Sequence, residues 1–190
     1  MRHTGTIRLE TPRLVLRRFR EDDAAPAFRN WESDEKVTEF LRWSPCQTPE
    51  ETRKILQDWI ISYAKMNFYQ WAIVFKDAPD EPIGTISAVG IDERIGMVEI
   101  GYCIGRRWWG KGIVTEAFRR IIPFFFEQVG VNRICAQHDP NNPGSGKVMV
   151  KSGLRYEGTL RQADYNNRGV ADAAVYGILA EEYRPEDYDR

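Results

Sequence analysis

Arg106-Arg107-Trp108-Trp109-Gly110-Lys111-Gly112 combines two glycines with three cations immediately before a segment patterned as a helix. The first turn of a helix carries N–H groups without intrahelical partners, and its dipole is positive there, so the chemistry offered is anion binding. Gly110 and Gly112 remove side chains that would keep phosphate oxygens off the backbone. Arg107 and Lys111 add full positive charge beside the anion. This physics describes a phosphate site without naming the phosphate. G-x-x-x-x-G-K-[ST] is absent, which argues against a P-loop nucleotidase. G-x-G-x-x-G would need glycine at Thr115, which argues against a dinucleotide fold.

The elements that must hold this loop follow from periodicity. A first strand is expected over residues 14–18, then a short helical stretch beginning at Glu21-Asp22-Asp23 and another short helix at 33–40. Thr48, Pro49 and Glu51 occupy the N-cap, first and third positions of a helix running to about Met66. Strands follow over 69–75, 82–91 and 97–104, joined by short turns as in an antiparallel meander. In the last of these, Val98, Ile100, Tyr102 and Ile104 share one face, and Glu99, Gly101, Cys103 and Gly105 the other. A helix is expected over 113–128, kinked near Pro123 and closed by Gly130. A strand over 131–137, a helix over 143–152 ended by Gly153, and strands over 154–161 and 170–179 complete the chain. The expected class is α/β (α+β mixed), with helices on both faces of one mixed sheet.

Length and composition bound the rest. A chain of 190 residues with 42% hydrophobic residues suits one domain with a real core. Twenty-seven cations against 28 anions, net charge -1, argue against a nucleic-acid partner. No apolar run reaches the roughly 18 residues of a spanning helix, and the N-terminus lacks an apolar signal core, so no membrane partner is expected. Cys46, Cys103 and Cys135 are odd in number and widely spaced, unlike a disulfide framework or a zinc site, which points to a reducing cytoplasm. With only His3 and His138, no metal site is expected.

The motif that matches is R-x-x-G-x-G, here Arg107 to Gly112, and in context it resembles the GNAT superfamily of acetyl-CoA-dependent N-acetyltransferases. Within it the chain looks most like the RimJ/RimL group, which acetylates N-termini of ribosomal proteins. Four further segments carry the likeness: residues 11–17, 99–104, 109–117, and Asn142 with Ser145 followed by 151–154 and Glu157-Gly158. The resemblance spans roughly residues 8 to 183. It implies a single N-acetyltransferase domain over 1–190, with a mostly antiparallel sheet of about seven strands.

The resemblance also implies a site. Acetyl-CoA would lie between the strand ending at Gly105 and the strand over 131–137, which splay apart. Gly101 and Gly105 are consistent with a bulge or close backbone approach. Backbone groups of Cys103 and Ile104 would bind the pantetheine arm and polarise the thioester carbonyl. Arg107, Trp109, Gly110, Lys111, Gly112, Ile113 and Thr115 would surround the pyrophosphate, with Trp108 and Trp109 read first as packing. Glu99 is the candidate base for the acceptor ammonium, against the plainer reading of a strand residue paired with an Arg or Lys. Many family members use a tyrosine to protonate the leaving thiolate; here the alignment puts Met149 there. Ser145 fits the serine that serves the thiol in the RimJ/RimL group, and Asn142 the pantetheine-binding asparagine. Arg42-Trp43 and residues 164–167 resemble acceptor-side loops, Asp172 and Tyr176 read as structural first and acceptor-binding second, and His138-Asp139 as a solvated turn. The expected activity is acetyl transfer from acetyl-CoA to a primary amine, a protein N-terminus first, by a monomer or homodimer. Transfer to a small amine and a catalytically silent CoA sensor are the alternatives.

Overall fold

The computed structural model describes residues 1–188, so the last two residues of the expected domain lie outside them. Eight strands form one sheet: β1 (Leu9–Glu10), β2 (Leu14–Arg17), β3 (Gln70–Phe75), β4 (Ala78–Asp92), β5 (Met97–Ile104), β6 (Arg133–His138), β7 (Arg155–Asn166) and β8 (Gly169–Leu179). Their spatial order is β1-β2-β3-β4-β5-β6-β8-β7. Neighbours pair antiparallel except β5 with β6, which are parallel. The strand beyond the expected seven is β1, whose two residues sit opposite Leu16 and Val15.

Helices cover both faces because successive strand side chains alternate. On one face Val98, Ile100 and Ile104 of β5 join Ile113, Val114, Phe118 and Ile121 of α4 (Ile113–Pro123), with Met149 of α5 (Pro143–Lys151). On the other, Cys103 packs with Phe19, Trp31, Leu56 and Ala72 beneath α1 (Ala24–Ala27), α2 (Glu35–Thr38) and α3 (Pro49–Ser62). The start of α3 is as read from sequence: Thr48 Oγ1 accepts from the Glu51 amide at 3.3 Å.

Two departures have clear causes. The helix expected through Gln128 is α-helical only to Pro123 and continues as a π-helical turn, Phe124–Val129, closed by Gly130 at φ 74°. Pro123 has no N–H to hold the i→i−4 ladder, and the wider turn keeps Phe124, Phe125 and Val129 fully buried. The bulge anticipated at Gly101 or Gly105 lies instead on β4. Ala88 and Gly90 pair with Ile100 and Glu99, leaving Val89 extra. Gly101 and Gly105 are approached by protein groups: a Cβ would stand 2.6 Å from the Val89 side chain at the first and 2.4 Å from the Asn30 carbonyl at the second.

Candidate active site

The parallel pair β5–β6 is short. Met97, Val98 and Glu99 pair with Arg133, Ile134 and Cys135, and there the ladder stops. Residues 100–104 keep pairing with β4, and residues 136–138 with β8. A wedge therefore opens between the two strands, with Glu99 and Cys135 at its apex. Gly105 N–H donates to the Ile83 carbonyl, and the Cys103 carbonyl is turned toward Gly84. Alternation of an antiparallel ladder then turns the backbone groups of Ile100, Tyr102 and Ile104 into the wedge. Cys103 faces β4 and the α1–α3 core, where burial holds its thiol well above the ordinary range. The Ile104 carbonyl takes the indole N–H of Trp109 at 2.9 Å, so this tryptophan ties the loop to the strand rather than packing under the helix.

At the wide end of the wedge the chain makes a 3-10 turn, Arg106–Trp108, and enters α4 through Gly112. Gly110 and Gly112 have φ of 73° and 71°, left-handed values that other residues rarely adopt. A Cβ at Gly110 would meet nothing, so backbone conformation, not crowding, requires glycine there. Among the described residues, the backbone N–H groups of residues 110–115 donate to no protein acceptor; the ladder resumes at Glu116, which donates to the Gly112 carbonyl. This row of free donors fits a pyrophosphate, whose oxygens accept several N–H bonds at once. Arg106 is committed to Asp34 at 3.1 Å, while Arg107 and Lys111 stay exposed beside the row. Ile113 is buried, so it contributes through its amide alone.

Glu116 anchors the loop from behind. Its carboxylate accepts from Thr11 Oγ1 at 2.6 Å, Arg13 Nε at 2.6 Å and the Arg13 amide at 3.0 Å. Burial would raise this carboxyl, but those donors outweigh it and hold the group below its ordinary range. Arg13 also reaches the Lys111 carbonyl at 3.3 Å. The β1–β2 turn thus fixes the glycine loop before α4, a role that residues 11–13 gave no sign of by themselves.

Glu99 is half-buried at the apex of the wedge, on the face toward α1–α3. Among the described residues its carboxylate makes no hydrogen bond or ion pair, so the partner anticipated by the plainer reading is not there. Opposite lies Cys135, whose thiol burial and the Glu99 carboxylate push up to about 11. A strap crosses this face. Arg42 binds Asp164 at 2.8 Å, the Asn167 amide group donates to the Thr38 and Trp43 carbonyls, and Gln137 Nε2 donates to Asp164 at 3.1 Å. Arg42-Trp43 and residues 164–167, each resembling an acceptor-side loop in sequence, are brought together by the fold.

On the other face, Tyr102 Oη lies 3.0 Å from both Ser145 Oγ and the Ser145 carbonyl. Burial pushes the tyrosine well above its ordinary range, so it keeps its proton. Sequence reading assigned Tyr102 only to an apolar strand face; the parity was right, but nothing in it foretold a hydroxyl pair across the wedge. Asn142 is the N-cap of α5, its Oδ1 accepting from the Ser145 amide at 3.4 Å, and its Nδ2 has no protein acceptor among the described residues. Met149 is 1% exposed within the α4-side core.

Glu32 is buried under the strap side, at the end of the π-helical turn Phe28–Glu32. Burial raises its carboxyl to about 7, opposed by the Trp31 indole N–H at 2.7 Å and the Cys46 thiol. Between about pH 4.5 and 7 the folded chain holds a proton that the unfolded chain has lost, so stability falls as pH rises through that window. Glu32→Gln keeps an oxygen for Trp31 and removes the titration. It is expected to match the parent near pH 4 and to exceed it at pH 8 by roughly 2–3 kcal/mol, read from urea melts at both values.

A family model described as acetyltransferase (GNAT) domain matches residues 13–155. The chain is 32% identical to the uncharacterized N-acetyltransferase p20 of Bacillus licheniformis over 92% of its own length and 97% of that protein. It is 31% identical to the ribosomal-protein-serine acetyltransferase of Escherichia coli over 75% of its length and 79% of the relative. Its fold superposes on RimL, the ribosomal L7/L12 alpha-N-protein acetyltransferase solved with coenzyme A, with TM-score 0.80 at 21% identity, covering 91% and 98% of the two chains. The chain belongs to the GNAT acetyltransferase family. It is an acetyl-CoA-dependent N-acetyltransferase related to those that modify ribosomal proteins. The free amides of residues 110–115 and the wedge are the features of this chain that suit that co-substrate. Among the described residues no helix is long and apolar enough to cross a membrane, and no group of three or more metal-ligating side chains forms.

Proposed function

We propose that this acetyltransferase modifies the α-amine of a protein N-terminus by direct attack in a ternary complex. The observation that carries direct attack is Glu99, a carboxylate without a partner at the apex of the wedge. The likeness to a ribosomal-protein-serine acetyltransferase supports the acceptor class. Acetyl-CoA supplies an activated acetyl thioester. Amides of residues 110–115, with Arg107 and Lys111, hold its pyrophosphate, while gap-facing backbone groups of Ile100, Tyr102 and Ile104 and the free Nδ2 of Asn142 orient the pantetheine arm. Glu99 takes the ammonium proton from the strap side, which frees the amine lone pair for attack. From the opposite side Ser145 Oγ donates to the departing sulfur, its hydroxyl set by Tyr102.

Thiol release from acetyl-CoA across a panel of N-terminal peptides and small amines tests this. Peptide-dependent release is the expected result. Release only with polyamines, amino sugars or similar amines would replace the acceptor class, and tight CoA binding without release under any acceptor would identify a sensor. Ser145→Ala and Tyr102→Phe are each expected to lower kcat about tenfold, the worth of one good hydrogen bond, with CoA affinity within twofold. The double variant should lose no more than either single one, because both changes break one pair. Wild-type kinetics in Ser145→Ala would remove the serine from the reaction.

A further inference from the structure

His138 ends β6, where sequence reading places a solvated turn. The structure places the ring half-buried against Tyr176, with centroids 5.5 Å apart and planes tilted by 34°. Its Nδ1 lies 2.8 Å from the Asp139 carbonyl. A carbonyl only accepts, so Nδ1 carries the hydrogen and the neutral ring presents a lone pair at Nε2. That Nε2 is buried and has no hydrogen-bond partner. It faces Gly146, where a Cβ would stand 2.6 Å away.

Gly146 follows Ser145 in the first turn of α5. Parity puts Tyr102 of β5 and His138 of β6 on the same sheet face, on opposite sides of the wedge. The first turn of α5 therefore rests on two supports: Tyr102 under Ser145, and His138 under Gly146.

We infer that His138 is a positioning residue for Ser145: its neutral ring lets the first turn of α5 close onto the sheet, and its protonation lifts that turn and separates Ser145 from Tyr102. A second proton has to go onto Nε2, which would bury an N–H⁺ against a glycine Cα with no acceptor. A buried charge of that kind is not tolerated without a partner. The surrounding groups do not supply one. Lys147 and Lys151 of α5 line the adjoining groove of about 480 Å³ and oppose added positive charge. The Asp139 carboxylate is taken by Asn141 and Asn166. Tyr176 of β8 turns its hydroxyl toward the same Gly146 position, and Tyr156 of β7 packs edge-on against Tyr176.

The inference rests on Ser145 serving the thiol, and the experiment separates the two. The chain has two histidines, so a His3→Gln variant assigns both rings by nuclear magnetic resonance. In the full-length protein without cofactor, the backbone amides of Ser145 and Gly146 are expected to shift on acidification with the same midpoint as the His138 ring. In His138→Gln those shifts disappear, the acid limb of kcat moves to lower pH, and KM for acetyl-CoA stays within twofold. The lifted turn costs the parent enzyme about tenfold in kcat, one hydrogen bond's worth. Gly146→Ala, which drives a methyl at Nε2, should show the lifted-turn amide positions at every pH. Amides that ignore the His138 titration, or that still follow acid in His138→Gln, would overturn the inference. Amide coupling together with wild-type kinetics in Ser145→Ala supports the positioning of the turn and rejects the serine's role.

Discussion

Gly112→Val raises the dissociation constant for CoA about a thousandfold. Gly112 is the N-cap of α4 and sits at φ 71°, between amides that have no protein acceptor. A β-branched residue resists that conformation by roughly 1–2 kcal/mol, and a Cβ there would stand 3.9 Å from Arg13 Nη2, against the brace that holds the loop. Turning two amides away from the anion forfeits two charge-assisted bonds of about 2 kcal/mol each, and about 4 kcal/mol is three orders of magnitude in affinity. Calorimetry measures the loss. The control is S-acetylpantetheine, which lacks the pyrophosphate. Its kcat/KM should stay within threefold, because the wedge, Glu99 and Ser145 lie on other elements. An equal loss with both donors would mean the substitution had disrupted the wedge instead.

Glu99→Gln is expected to slow kcat/KM two to three orders of magnitude at neutral pH, the range of a positioned general base. The amide keeps the shape and cannot take the proton. The deficit should shrink as pH rises past the α-amine's own pKa, about 8, because the acceptor then arrives already deprotonated. The carboxylate is held in place sterically, close to Gly90 and opposite Cys135, with no ion pair to break, so the variant should melt within about 0.5 kcal/mol of the parent. A deficit that is the same at every pH would remove Glu99 as the base.

Both expectations begin from residues readable in the chain, yet differ in what the chain revealed. The glycine loop with its free amides was legible because its geometry is local: Gly110, Gly112 and the start of α4 lie within one turn of each other. Fixed φ values and free first-turn amides are properties of a short segment. Strand parity on β5 was legible for the same reason and put Glu99 on one face and Tyr102 on the other. The end of α4 was only half legible: Pro123 announced a break, but the π turn after it follows from the need to bury Phe124 and Phe125. The position matched to the family's tyrosine, Met149, proved to be core, and the contact of Tyr102 with Ser145, 43 residues further along the chain, could not be read from either segment alone.

By itself, then, the sequence determined the glycine loop that opens α4, the alternation of β5 and the family whose motif it carries. Those depend on neighbours a few positions apart, where dihedral preference and period decide the outcome. Tertiary structure alone decided that β5 and β6 part after Glu99, that Arg13 braces the loop through Glu116, that Arg42 meets Asp164, and that His138 lies beneath Gly146. Each of these joins segments brought together by the sheet order, and residue types at those positions permit many partners until packing chooses one.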